Sequence, residues 1–320
     1  MSRYLNVDSD NIKTPENEMM NRVTMTDMMA TKTDRIDRAE PGQSATRGLL
    51  LDLWRSDPLL VGTGLFLLAV FLAFGAGIAL DARTILGAPA WLKPAKFAIS
   101  TAIYCLTLAW FFTYLPDWPR TRRIVGRLTA ATMLIEVAIV GLQALRGTTS
   151  HFNVGTALDA TLFTIMAAAI AAQTVSTFVV GAALFRQRFA DRAMGWALRA
   201  GMTLSILGAL VGGLMTAGPT ATQLEKARTT GHMTTVGAHT VGGEDGGPGL
   251  PGLGWSTRNG DLRVPHFFGL HAIQALPLFA FLIRRRPQPL RASLVRAATV
   301  TYALMFALLL SQALSGTPLL

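Results

Sequence analysis

Apolar residues fall into seven runs, at about 59–80, 95–115, 124–145, 155–184, 194–217, 264–283 and 294–314. Each approaches or exceeds the ~20 residues an α-helix needs to cross a ~30 Å hydrocarbon core at about 1.5 Å per residue. The fourth is long enough to tilt or to project beyond the bilayer. The alternating ten-residue strands of a membrane β-barrel are absent, and a closed barrel is the other structure that can span lipid. The pattern therefore predicts an all-α polytopic membrane protein, a bundle of seven transmembrane helices in one domain over residues 58–320. Residues 1–57 are polar, rich in Met, Thr and Asp, and without apolar periodicity, which predicts a disordered cytoplasmic tail. No apolar run follows Met1, so a cleaved signal peptide is not expected. Met19, Met20, Met25, Met28 and Met29 offer alternative starts.

Charge sets the expected orientation. Only 15% of the 320 residues are charged while 51% are hydrophobic, well below the roughly 25% charged share of soluble domains. The net charge of +10 would suggest nucleic acid in a soluble chain. Here the arginines sit in short connections between apolar runs, so the positive-inside rule accounts for them and no nucleic-acid partner is expected. Arg120, Arg122, Arg123 and Arg127 join runs two and three. Arg186, Arg188 and Arg192 join four and five; Arg284, Arg285, Arg286, Arg291 and Arg296 join six and seven. The alternate connections carry Arg83, Lys93, Lys96, Arg146, Lys226, Arg228, Arg258 and Arg263, spread over much more chain. The prediction is a cytoplasmic N-terminus and an extracytoplasmic C-terminus. The 218–263 connection then lies outside, and its run Gly242–Trp255 is too rich in Gly and Pro for a helix or a central strand. It reads as an ordered lid or binding loop bearing His232, His239, Glu244, Asp245 and Trp255, with a flexible linker as the alternative.

The same topology gathers the unusual polar residues on the outer side. His151 lies between runs three and four, Asp159 one turn into run four, and His266, His271 and Gln274 on run six. Gln143 is near the outer end of run three, with Glu136 seven residues earlier on the same face, near mid-bilayer. Polar groups at such depths are expensive and tend to be used. His266 and His271, five apart, point about 140° apart on a helix (3.6 residues per turn) and cannot chelate one ion unaided. Any metal site would need His151 or His239 as well; imidazoles suit zinc, copper or haem iron, with Asp159 or Asp261 as base or orienter. Arg146, Lys96, Gln143, Glu136, Trp255 and Gln274 are candidate substrate-binding residues, Arg146 and Lys96 as clamps on an anionic head group and Trp255 and Phe267 as pocket lining. Against this stands the plainer reading that the histidines cap helices and hydrogen-bond across the bundle. For Glu136 the alternatives are proton relay or cation binding, and a protonated carboxyl bonded to a neighbouring helix. Gly208 and Gly212 form a G-x-x-x-G pair that predicts close helix packing. The single cysteine, Cys105, excludes an intrachain disulfide and a cysteine metal cluster.

The strings Trp91–Phe97, Gln143–Asn153 and Gly254–Thr257, with the Gly260–His271 string that follows, resemble those of a family of uncharacterised bacterial multi-pass inner-membrane proteins. The resemblance covers the membrane region and implies a bacterial inner-membrane location. More distantly, Ser150, His151, Asp159, His266 and His271 are the residue types found in seven-helix zinc hydrolases of the alkaline ceramidase type. Their spacing and order depart from that pattern, so it assigns no roles here. The sequence thus leads to an outward-facing histidine/carboxylate pocket, metal- or haem-dependent, acting on a lipid or small molecule. A transporter or proton-coupled permease using Glu136 and Gln143 is the rival, and a non-catalytic membrane scaffold the third reading.

Overall fold

The computed structural model describes residues 43–320. Up to residue 42 the expected tail lies outside the described residues; its remainder is not all extended, because Gln43–Ser56 forms a helix, α1. Residues 53–320 make one compact unit.

Seven of its helices are long and apolar enough to cross a membrane: α2 (Pro58–Leu80), α3 (Leu92–Thr113), α4 (Pro119–Leu145), α5 (Ala157–Arg186), α6 (Arg192–Met215), α8 (Arg263–Leu282) and α9 (Gln288–Leu314). Each covers one of the seven apolar runs. Helix starts follow local capping. Asp57 accepts from the Leu60 amide at 3.0 Å ahead of Pro58, Thr156 accepts from Asp159 N at 3.1 Å, and Asp191 accepts from Met194 N at 3.1 Å. Three helices begin three or more residues earlier than their apolar runs, α4 at Pro119 among them. Helix α3 starts at Leu92 and takes Lys93, Pro94 and Lys96 into its first turns; α9 starts at Gln288 and takes in Arg291. Proline is tolerated in a first turn, where its missing N–H has no partner to lose.

The closest helix contact joins α6 and α8. A Cβ at Gly208 would lie 2.5 Å from Leu270 N, and one at Gly269 would lie 2.4 Å from the Gly208 Cα. These helices therefore meet backbone to backbone, as small residues allow in a membrane. Gly212 serves differently: the space a side chain would fill there holds the His266 ring, 2.8 Å away.

One end of the bundle carries a folded layer, the loop end. After α6, Ala221–Thr230 forms helix α7, with a Thr220/Gln223 capping box at its start and Gly231 left-handed at its end (φ 70°). The chain then lies along the 146–156 turn: Val154 N donates to Thr234 O at 3.0 Å and Val236 N to Phe152 O at 2.9 Å. A short antiparallel pair, β3 (Thr240–Val241) with β4 (Gly260–Asp261), returns it to α8. Across the 84–89 turn, β1 (Thr84–Ile85) pairs with β2 (Ala88–Pro89).

Candidate functional site

At the loop end the Gln143–Asn153 and Gly260–His271 strings are linked through His239. Phe152, buried and left-handed (φ 63°), packs its ring 4.8 Å from that of His239. His239 in turn accepts from Leu262 N through its carbonyl at 2.9 Å. A phenylalanine in that conformation is strained, so the surrounding contacts must hold it. Nothing in the sequence flags Phe152, because its backbone angle is set by the strand-like pairing on either side.

The carboxylates there are already engaged. Asp159 (4% exposed) accepts from Arg146 Nη1 at 2.5 Å, Gln143 Nε2 at 2.9 Å and Thr156 Oγ1 at 2.7 Å. Arg146 also donates to Gln143 Oε1. Asp261 (3% exposed) is held by Arg263 through Nε at 2.9 Å and Nη2 at 2.6 Å, and by Ser256 N at 2.7 Å. Charge-assisted bonds of this kind are the strong ones. Asp159 and Asp261, the expected base or orienter, are each placed as the acceptor that fixes a turn. Arg146, an expected clamp on an anion, engages Asp159 and Gln143 through Nη1, and Lys96, the other, donates to Leu253 O at 2.9 Å.

The histidines are also dispersed. His266 Nδ1 donates to Gly208 O at 2.7 Å, turning its ring into the α6 groove. His271 faces Gln274 Oε1 (3.2 Å), whose amide donates to Thr107 Oγ1 at 3.2 Å, and Phe267 lies 4.3 Å from its ring. Trp255 packs edge-on against that same Phe267 at 5.6 Å. His151 pairs with Ser150 Oγ at 3.0 Å and tilts onto Phe97 at 5.2 Å. His239 Nδ1 lies 3.0 Å from Asp245, and His232 Nε2 donates to Gly155 O at 3.0 Å. Among the described residues no three His, Cys, Asp or Glu side chains are grouped to hold a metal ion. His151, His239, His266 and His271 are thus not brought to one metal position, because four different neighbours orient their rings. Burial, then the charge of Lys93, holds His151 well below the usual histidine range. Burial also holds His239 low, although Asp245 opposes it. Burial would raise Asp245, but the His239 hydrogen bonds outweigh it and keep that carboxyl well below its usual range.

Two surface concavities on the described residues are lined without a histidine. One, at the opposite end, is lined by Asp117, Trp118, Arg186, Gln187 and Arg188. The other is an apolar groove between α2 and α4, with Phe66, Phe74, Trp91, Val137, Gly141 and Leu145 among its lining.

A second polar region runs inside the bundle. Thr129, Thr132, Glu136 and Gln143 are all buried and fall on one face of α4, at spacings of three, four and seven. Opposite them stand Tyr104 of α3 and Gln173, Thr177 and Asp159 of α5. Thr132 Oγ1 donates to Gln173 Oε1 at 3.1 Å, Gln173 Nε2 donates to the Tyr104 hydroxyl at 2.9 Å, and that hydroxyl lies 3.3 Å from Thr177 Oγ1. Gln143 closes the seam at the loop end. Between Thr132 and Gln143 sits Glu136, 1% exposed, with a partner for neither carboxyl oxygen among the described residues; the Thr129 hydroxyl is unpartnered as well. It lies nine residues below Leu145, about 13 Å along the helix. The shared face of Glu136 and Gln143 is visible in the sequence, and the threonines continue the same spacing. Their partners on α3 and α5 are not, since single Tyr, Gln and Thr residues in apolar runs carry no register.

No family model, curated protein or solved structure matches the chain. Its function is therefore argued from this geometry.

Proposed function

We propose that the protein is a proton-translocating or proton-coupled permease of a bacterial inner membrane, with its N-terminus in the cytoplasm and the loop end outside. Glu136 is the group that takes up and releases the proton. The orientation rests on the twelve arginines in the three short connections at the other end of the bundle. One observation carries the functional reading: a carboxyl group buried to 1% exposure with neither oxygen partnered among the described residues, in a file of polar side chains where only the Thr129 hydroxyl is also unpartnered. An ionised carboxylate without a partner costs several kcal/mol in such surroundings, so retaining one points to use. Thr132, one turn from Glu136, begins a hydrogen-bonded set toward the cytoplasmic end, and Gln143 stands toward the outside.

Purified protein in liposomes with an entrapped pH dye tests this under an imposed pH gradient. Wild type is expected to dissipate the gradient faster than protein-free vesicles. Glu136→Gln is expected to slow that flux by about a hundredfold, the scale of a lost acid–base group, while His271→Ala leaves it intact. Folded Glu136→Gln protein with wild-type flux would overturn the assignment.

A further inference from the structure

Lys93 is the second residue of α3, at the loop end. Its ammonium lies 5.9 Å from the Phe97 ring centroid, one turn along the same helix. Among the described residues it makes no ion pair; four acids at that end face other cations, Asp81 with Arg83, Asp159 with Arg146, Asp245 with His239 and Asp261 with Arg263. The neighbouring cations are spent as well, Lys96 on Leu253 O and Arg263 on Gly254 O besides Asp261. Lys93 and Glu136 are opposite groups that each lack an ion pair among the described residues. Phe97 joins them. Its ring packs against the Ile139, Val140 and Met166 cluster, and Ile139 and Val140 stand three and four residues from Glu136, on its face of α4.

We infer that Lys93 is the mobile counter-cation of Glu136, and that its position sets when the outer half of the seam is open. The inference rests on Glu136 being the proton-exchanging group. With a proton on Glu136 the carboxyl is neutral, and the ammonium stays at the loop end over Phe97. When that proton leaves toward Thr132, the bare carboxylate draws the flexible lysine stem past the ring. The ammonium then occupies the outer approach until a proton arriving on Glu136 displaces it. Few other charges compete. From α3 the titratable group facing the seam is Tyr104, hydrogen-bonded to Gln173. From α5 it is Asp159, neutralised by Arg146, and from the connecting turn it is His151. From α2 it is Asp57, which lies against Gly126, ten residues away along α4.

The test is the pH profile of proton flux in liposomes for wild type, Lys93→Met, Lys93→Arg and Glu136→Gln. Removing the positive charge is expected to move the midpoint to higher pH by about one unit, a tenfold change in proton concentration. Lys93→Arg is expected to keep the wild-type midpoint. A Lys93→Met midpoint equal to wild type, with Glu136→Gln inactive, overturns the counter-cation and leaves the permease reading standing. Wild-type flux in Glu136→Gln overturns that reading first. Thermal unfolding across the same pH range gives a check independent of flux. Lys93→Met should alter the pH dependence of Tm in the wild-type background and not in Glu136→Gln; equal effects in both backgrounds overturn the pairing.

Discussion

At the loop end Asp159 and Asp261 each meet an arginine and Asp245 meets a histidine, whereas Glu136, deeper on α4, accepts a hydrogen bond from none of the described residues. The loop end is far richer in chemistry-bearing residue types, with five histidines and six carboxylates against one glutamate. Its demands are met internally. A satisfied network rigidifies a turn; an unsatisfied buried charge has to be answered by a proton, a cation or a movement. The contrast teaches that unmet hydrogen-bonding capacity, rather than the density of polar residues, is what sets the Glu136 region apart.

The sharpest way to break that contrast is Asp159→Ala. It strands Arg146 and Gln143 together, and removing one partner of a buried pair costs about 3–5 kcal/mol. Thermal unfolding in detergent should show a large drop in Tm, with Glu136→Gln close to wild type. Equal drops would mean that the two regions are not different in kind. A smaller effect is expected from pH. His151 and His239 are held low in the folded protein, while unfolded histidine titrates near about 6.5. The unfolded chain therefore binds more protons below that pH, and the packing of the loop end loses stability as pH falls through the window beneath it. The contribution of Asp245, whose folded pKa is depressed, is present above about 3.9 and lost only in stronger acid. Hydrogen exchange over residues 232–262 should accordingly speed up between pH 7.5 and pH 5.5, beyond the chemical rate change; constant protection would contradict the burial of these rings. The smallest effect is expected for Tyr104→Phe. It removes one hydroxyl from the Gln173 bond, worth about 1 kcal/mol, and a Tm shift comparable to that of Asp159→Ala would show the seam to be a structural network.

The spans were legible because a helix in lipid must be apolar over its length, whatever its neighbours. Legibility failed where polar residues make helix. Helix α7 is written in Thr220-x-x-Gln223 and Gly231, a capping signature at a position with no apolar run to draw attention to it. The polar first turns of α3 and α9 were likewise outside the apolar signal, although Lys93 depends on being inside one. The G-x-x-x-G pair correctly marked α6 for close packing at Gly208, but its second glycine makes room for an imidazole instead of a backbone.

Sequence by itself determined the seven helices, their order and the gathering of histidines and acids at one end, because hydropathy and helical rise act locally. It also placed Glu136 and Gln143 on one face of α4, a consequence of the 3.6-residue period. Tertiary structure alone decided which polar groups are satisfied. Arg146 reaches Asp159 across 13 residues, Phe152 meets His239 across a turn and a loop, and Glu136 is left without a partner. Hydrogen-bond satisfaction depends on ångström-scale approach between segments far apart in the chain, and residue spacing along one helix carries no information about it.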